Sequence, residues 1–153
     1  MLKKILPWVV VGFLAAVFVA AFALKDTMNS TISGMMIRQA SHELVNSGEI
    51  LVDSLYNYNK NGGKYEFTFL EFGSTGCLAC RRMESVMAEI SQKYPQKVNV
   101  VFKNILKTEN QVFMKYYGIA VIPTQILLDR QGKEFFRHSG FIPTENVEIE
   151  FGL

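Results

Sequence analysis

Cys77 and Cys80, separated by Leu78 and Ala79, stand where an aromatic, β-prone run gives way to an amphipathic pattern, and that junction limits the fold more than any other stretch. Tyr65 to Phe72 (YEFTFLEF) is rich in residues that favour a buried strand. Gly73-Ser74-Thr75-Gly76 breaks it. From there Cys80, Met83, Met87, Ile90 and Tyr94 recur at steps of three and four, while Arg81, Arg82, Glu84, Ser85, Glu89 and Gln92 fill the other face. The spacing predicts a helix that ends before Pro95, whose ring cannot continue it.

The flanking segments extend this unit. Val98 to Phe102 (VNVVF) reads as a second strand, and Glu109 to Tyr117 as a second helix closed by Gly118 in a left-handed cap. Thr124 to Leu128 and Lys133 to His138 flank Asp129-Arg130-Gln131-Gly132, an antiparallel hairpin, and a short helix follows Pro143. Strands separated by helices imply parallel pairing, with the hairpin as an antiparallel edge. Upstream, Met36, Ile37, Ala40, Leu44, Ile50, Leu51, Leu55 and Tyr58 fit helical spacing, which gives one or two helices between Met35 and Lys60, stopped by Asn61-Gly62-Gly63.

The first 24 residues differ in kind. Lys3 and Lys4 precede an uncharged run of 20 residues from Ile5 to Leu24, which as a helix is about 30 Å long, enough to span a bilayer. Cationic residues before the run put the N-terminus in the cytoplasm and everything after Lys25 outside it. A cleaved signal peptide, with Ala21-Phe22-Ala23 as its site, is the competing reading, but the run exceeds a secretory apolar core of roughly 7–15 residues. Residues 1–24 are thus expected to be a signal-anchor, 25–34 a polar tether, 35–64 a helical lead-in and 65–153 the domain. Setting Lys3 and Lys4 aside leaves fourteen basic and fourteen acidic side chains. That balance, with no basic cluster and no Gly-rich phosphate loop, argues against nucleic-acid binding and nucleotide hydrolysis.

Cys77 falls where unpaired backbone N–H groups at a helix N-terminus stabilise a thiolate and lower a cysteine pKa from about 8.5 into a range of about 3.5–7.5. Cys77 is then the expected attacking sulfur. Cys80, one turn along on the apolar face, would resolve the mixed disulfide. Other readings stand beside this one. A lone C-x-x-C can be half of a zinc site, yet neither His42 nor His138 has a ligand neighbour in sequence, so no metal is expected. A redox-linked metal carrier and a purely structural bridge are further alternatives, although so short a loop constrains the unfolded chain little.

With the motif placed between strand and helix, the stretch from about Tyr65 to Phe151 resembles the thioredoxin family. Ile122-Pro123-Thr124, just before the hairpin, matches the place where that family carries a cis-proline facing the cysteines and positioning the substrate backbone, and an X-Pro bond costs only about 0.5–1 kcal/mol to be cis. An ordinary trans proline at a strand edge is the alternative. The resemblance implies an α/β thioredoxin-like fold, a central mixed sheet flanked by helices, preceded here by the transmembrane helix. It implies substrate contacts from Val121, Ile122, Pro123 and Thr124. It also gives Glu71, six residues before Cys77, the place of a buried acid that relays protons to Cys80, and gives Lys103 the place of the lysine near it. A Glu71 that points outward from the strand is the alternative. Gly140 matches a glycine near the site, or is a turn residue.

The chain departs from cytoplasmic thioredoxins where Leu78-Ala79 replaces Gly-Pro and where Gly73 and Gly76 replace tryptophans. Cys-Leu-Ala-Cys is more similar to the Cys-Val-Ala-Cys of the periplasmic domain of the Dsb transmembrane electron-transfer protein. The runs GCLACRRME and IPTQILLDRQGKEFFRHSGF resemble membrane-tethered bacterial thioredoxin-like proteins linked to cytochrome c maturation and transmembrane electron import. The implied function is a thiol–disulfide oxidoreductase, held by residues 5–24 on the extracytoplasmic side of a bacterial inner membrane. It would need no cofactor beyond the redox-active Cys77–Cys80 disulfide. It would exchange with protein disulfide substrates and be recharged by a membrane electron-donor protein. Leu78 and Ala79 supply no cation or imidazole to stabilise the Cys77 thiolate, which favours reduction. A dithiol oxidase and a non-catalytic binding module or copper carrier are the alternatives.

Overall fold

The structure is a computed structural model that describes the backbone of residues 2–153 and the side chains of 8–21, 23–24 and 27–153. Four strands, β1 (Phe67–Gly73), β2 (Val98–Asn104), β3 (Thr124–Leu128) and β4 (Glu134–Ser139), form one sheet in the order β2-β1-β3-β4. Helices are α1 (Leu2–Ala23), α2 (Lys25–Gln39), α3 (His42–Tyr56), α4 (Tyr58–Asn61), α5 (Leu78–Lys93), α6 (Gln111–Tyr116) and α7 (Thr144–Phe151).

Central β1 is buried from Thr68 to Gly73, so its sequence reads as a nearly continuous apolar run rather than an alternation. Alternate side chains nonetheless enter two separate cores. Leu70 and Phe72, with Ile126 and Leu128 of β3, pack under α3 and α6 against Val52, Tyr56, Phe113 and Tyr117. Phe69, with Leu127, packs on the other face against Met83, Val86 and Ile90 of α5 and Val147 and Phe151 of α7.

One strand pairing differs from expectation. β1 and β2 are parallel, but β3 runs antiparallel to β1, with Phe72 opposite Thr124. A parallel crossover must carry the chain back along the sheet in a dozen residues or more of connection, usually helical. The connection at 105–123 is long enough, but its one α-helix, α6, has only six residues, about 9 Å, too short to carry the chain back along the sheet, and the chain enters β3 at the end where β1 finishes. That reversal sets the segment before Thr124 beside the end of β1.

The expected polar tether at 25–34 is helical, lying in α2. Ser33 is buried, and Gly118 (φ 59°) approaches so closely that a Cβ there would lie 2.5 Å from the Ser33 carbonyl oxygen. The lead-in is also part of the folded unit, since Val52 and Tyr56 of α3 belong to the first core. The expected helix at Glu109–Tyr117 is divided into a 3₁₀ turn at Thr108–Asn110 and α6. Gly118 does take the left-handed conformation.

Every described side chain of α1 is exposed. Among the described residues no helix is long and apolar enough to cross a membrane, so the spanning helix expected from Ile5 to Leu24 is not found there. The side chains of Ile5, Leu6, Pro7 and Phe22 lie outside the described residues.

Candidate active site

Cys77 occupies the N-cap of α5, in extended conformation, and its sulfur accepts from the Cys80 backbone N–H at 3.2 Å. A sulfur at that place faces the unpaired N–H groups of the first turn. Its thiol is held below the ordinary value, first by hydrogen bonding from the Cys80 side chain and then by the N–H groups of Cys80 and Ala79, against the opposing effect of desolvation. Cys80 lies on the buried face of α5, 3% exposed, and both cysteines are free thiols. Burial pushes the Cys80 thiol up, and donation to Cys77 and the charges of Cys77 and Glu71 push it further. The two sulfurs therefore differ in both access and acidity.

Gly73, the last residue of β1, lies under Cys80: a Cβ on it would be 3.2 Å from Cys80 Sγ and 3.0 Å from the Phe102 ring. One residue type fits there without displacement. Two residues back, Glu71 is completely buried. Gln125 Nε2 donates to its Oε2 at 3.0 Å, while Oε1 has no partner. Burial pushes the Glu71 carboxyl up to about 8; the Gln125 hydrogen bond opposes this, and the nearby Cys77 charge adds to it.

Lys103 is not brought to Glu71. In the parallel register Glu71 pairs with Phe102 and Lys103 with Phe72, so Lys103 projects from the other face. Its Nζ sits 4.0 Å from the centre of the Phe113 ring. Desolvation there lowers its pKa. The neighbour that Glu71 has on β2 is the Phe102 ring.

The Ile122–Pro123 peptide is cis, preceding β3. Val121 is exposed, Ile122 half-buried, and Pro123 and Thr124 buried. Thr124 Oγ1 donates to the Val121 carbonyl at 2.8 Å and lies 3.1 Å from Ser139 Oγ. Gly140 N–H donates to the Pro123 carbonyl at 2.8 Å, and at φ 103° Gly140 holds a backbone conformation that other residues rarely adopt. Among the described residues no three His, Cys, Asp or Glu side chains are grouped to hold an ion.

The family model for a thioredoxin-like domain matches residues 53–151. The chain belongs to the thioredoxin-like family. Among curated relatives, it is 32% identical over 78 residues to the chloroplastic thioredoxin-like protein HCF164 of Arabidopsis thaliana, and 28% identical over 78 residues to HCF164 of rice, Oryza sativa subsp. japonica. Each match covers 51% of this chain and 30% of the relative, so the chain spans under a third of the proteins it matches. Among solved structures, thioredoxin-2 of the malaria parasite superposes with TM-score 0.53 at 18% identity, covering 61% of this chain and 95% of that one. The Drosophila melanogaster thioredoxin Deadhead gives 0.50 at 24% identity, over 57% and 81%. These structures share the fold, and the paired cysteines of this thioredoxin-like chain are consistent with thiol–disulfide exchange.

Two residues of the site escaped the sequence reading. Phe102 is set against Glu71 by strand register, which spacing alone did not fix. Gln125 carried a readable signal, an amide within the apolar run Thr124–Leu128.

Glu71 also makes stability depend on pH. Its folded-state value of about 8 lies above the ordinary 4.5, so the unfolded chain ionises first as pH rises and stability is lost between those values. Glu71→Gln, uncharged at every pH, is expected to exceed the parent in stability by on the order of 2–4 kcal/mol above pH 8, an advantage that vanishes toward pH 4.5. Urea titration of both reduced proteins at pH 4.5 and 8.5 measures it; an equal difference at the two pH values would contradict a buried neutral carboxyl.

Proposed function

We infer that this chain is a membrane-tethered thiol–disulfide oxidoreductase that reduces disulfides in client proteins on the extracytoplasmic side of a bacterial inner membrane. The observation that carries this reading is the inequality of the pair: Cys77 is half-exposed at the cap of α5 with its acidity raised, and Cys80 is buried one turn below. An accessible thiolate attacks; a shielded thiol waits until the mixed disulfide has formed.

The exchange runs as follows. Cys77 thiolate attacks one sulfur of the client disulfide, forming a mixed disulfide and releasing the other client sulfur as a thiolate, which takes a proton from water. Cys80, deprotonated, attacks Cys77 Sγ and releases the second client sulfur. The client gains two electrons and two protons, and the Cys77/Cys80 dithiol becomes a disulfide. A membrane dithiol protein returns it to the reduced form. Val121, exposed on the segment before β3, offers backbone to an extended client strand, with Ile122, Pro123 and Thr124 shaping the wall beside the sulfurs.

Membrane attachment is supported by the 20-residue uncharged run and by the exposure of Trp8, Phe13, Leu14 and Phe18 along α1. Thiol–disulfide exchange by an anchored domain suits a compartment where disulfides persist.

The test uses the full chain. In detergent, the reduced protein is expected to catalyse reduction of insulin disulfides with a reducing dithiol present. In intact spheroplasts, a limiting amount of a membrane-impermeant maleimide is expected to label Cys77 before Cys80. No catalysis of insulin reduction refutes the enzyme; labelling only after lysis puts the domain on the other side of the membrane; Cys80 labelled first reverses the roles of the two sulfurs.

A further inference from the structure

Gln125 does nothing in the exchange described above, yet it is the partner of the one buried acid among the described residues. Its side chain is 1% exposed, on the same sheet face as Glu71 and directly opposite it in the β1–β3 register. Nε2 donates both to Glu71 Oε2 at 3.0 Å and to the Gly140 carbonyl at 3.1 Å. Both neighbours are oxygen acceptors, which fixes the nitrogen toward them. Gly140 in turn donates to the Pro123 carbonyl. One carboxamide therefore ties the acid below the thiols to the segment beside them. Gln125 Oε1 and Glu71 Oε1 are both buried without a partner. A buried amide with an orphaned acceptor costs stability that an apolar side chain at the same place would not.

We propose that Gln125 is the positioning residue for proton transfer at Cys80: it holds Glu71 by Oε2 and leaves Oε1 to exchange the proton of the Cys80 thiol. This rests on the thiol–disulfide exchange proposed above. In the resolving step the ionised Glu71 takes the Cys80 proton on Oε1 while the new thiolate attacks Cys77 Sγ. The bond from Cys77 to the client breaks, the client leaves as a thiolate, and Glu71 then gives its proton to water. A donor on Oε2 favours the ionised carboxylate that accepts the proton.

Other groups around Glu71 do not take this role. Cys77 opposes its ionisation from the start of α5, and the Glu71 charge in turn raises the Cys80 thiol. His138, beside Gln125 on β4, has Nε2 3.2 Å from the Phe141 carbonyl. Arg82 of α5 stacks on the Phe141 ring. Lys103 projects from the other face of the sheet, and Glu89 and Glu148 are paired with Lys93.

The decisive measurement is the titration of the Glu71 carboxyl, followed by carbon NMR in the full reduced chain. The Gln125 side-chain amide resonances are expected to shift with the same midpoint. Gln125→Met keeps the length of the side chain and removes the donor, and is expected to raise that midpoint by about one pH unit. The acid limb of insulin reduction should move with it, about a tenfold lower rate at a fixed pH below the midpoint. In a Glu71→Gln background, Gln125→Met should add nothing further, as for two residues acting through one group. A midpoint left unmoved, or full additivity of the two substitutions, overturns the proposal. If Gln125→Met does not fold, the parent decides, because amide resonances indifferent to the Glu71 titration overturn it equally. A parent that fails to reduce insulin refutes the exchange reading, while the midpoint shift still reports on whether Gln125 positions Glu71.

Discussion

Cys77→Ser is expected to lower insulin-disulfide reduction by roughly a thousandfold or more, to the uncatalysed background, the scale on which loss of a covalent nucleophile is felt. A hydroxyl is not ionised near neutrality and cannot replace the thiolate as attacking group. The loss should not come from unfolding. Cys77 is the N-cap of α5, accepting from the Cys80 N–H, and serine is among the preferred residues at that position. The variant should therefore melt at or slightly above the parent temperature. Cys80→Ser is the informative companion: attack by Cys77 is preserved and resolution is lost, so a covalent adduct with the client should accumulate. A Cys77→Ser protein that keeps a substantial fraction of parental activity would remove the assigned nucleophile and the proposed mechanism with it.

What the sequence disclosed and what it withheld divide along the range of the forces involved. The start of α5, its buried stripe through Cys80, Met83 and Ile90, its end before Pro95 and the left-handed Gly118 are all set within a turn or two of chain, and each was readable from spacing. The β3 direction was not, because it depends on the length of α6 compared with the strands it joins. Helix α2 was read as a tether since Lys25–Gly34 has little helical propensity or pattern; it is Ser33 packed against Gly118 that ties it to the domain. At the site, the buried place of Glu71 is what the resemblance to the thioredoxin family implied, whereas Lys103, which the same resemblance put near it, stands one residue beyond Phe102, the residue that pairs with Glu71. One residue is enough to move a side chain to the opposite face. The same pairing that removed Lys103 introduced Phe102 and, across β1, Gln125.

The boundary of the folded unit carries the second large effect. A chain beginning at residue 65, where the β-prone run starts, is expected not to fold, whereas one beginning at Ser41 is expected to unfold cooperatively near the parental midpoint. Ser41 is the N-cap of α3, accepting from the Leu44 N–H, so a start there keeps the helix whole. From α3, Val52 and Tyr56 are each 4% exposed and cover Leu70, Phe72 and Ile126 of the central strands. Tyr58 follows with a hydroxyl bonded to Thr68 at 2.7 Å and to the Asn99 amide at 2.9 Å, and a backbone N–H donating to the Arg130 carbonyl. At about 1.5–3 kcal/mol for each large side chain buried, removing these three costs about 5 kcal/mol or more, before the exposed strand face is counted. A domain of this size has only about 5–15 kcal/mol in total. Far-ultraviolet circular dichroism with urea titration measures the outcome. A chain from residue 65 that unfolds cooperatively at the midpoint of the longer one would show that α3 is an appendage and that the first core closes without it.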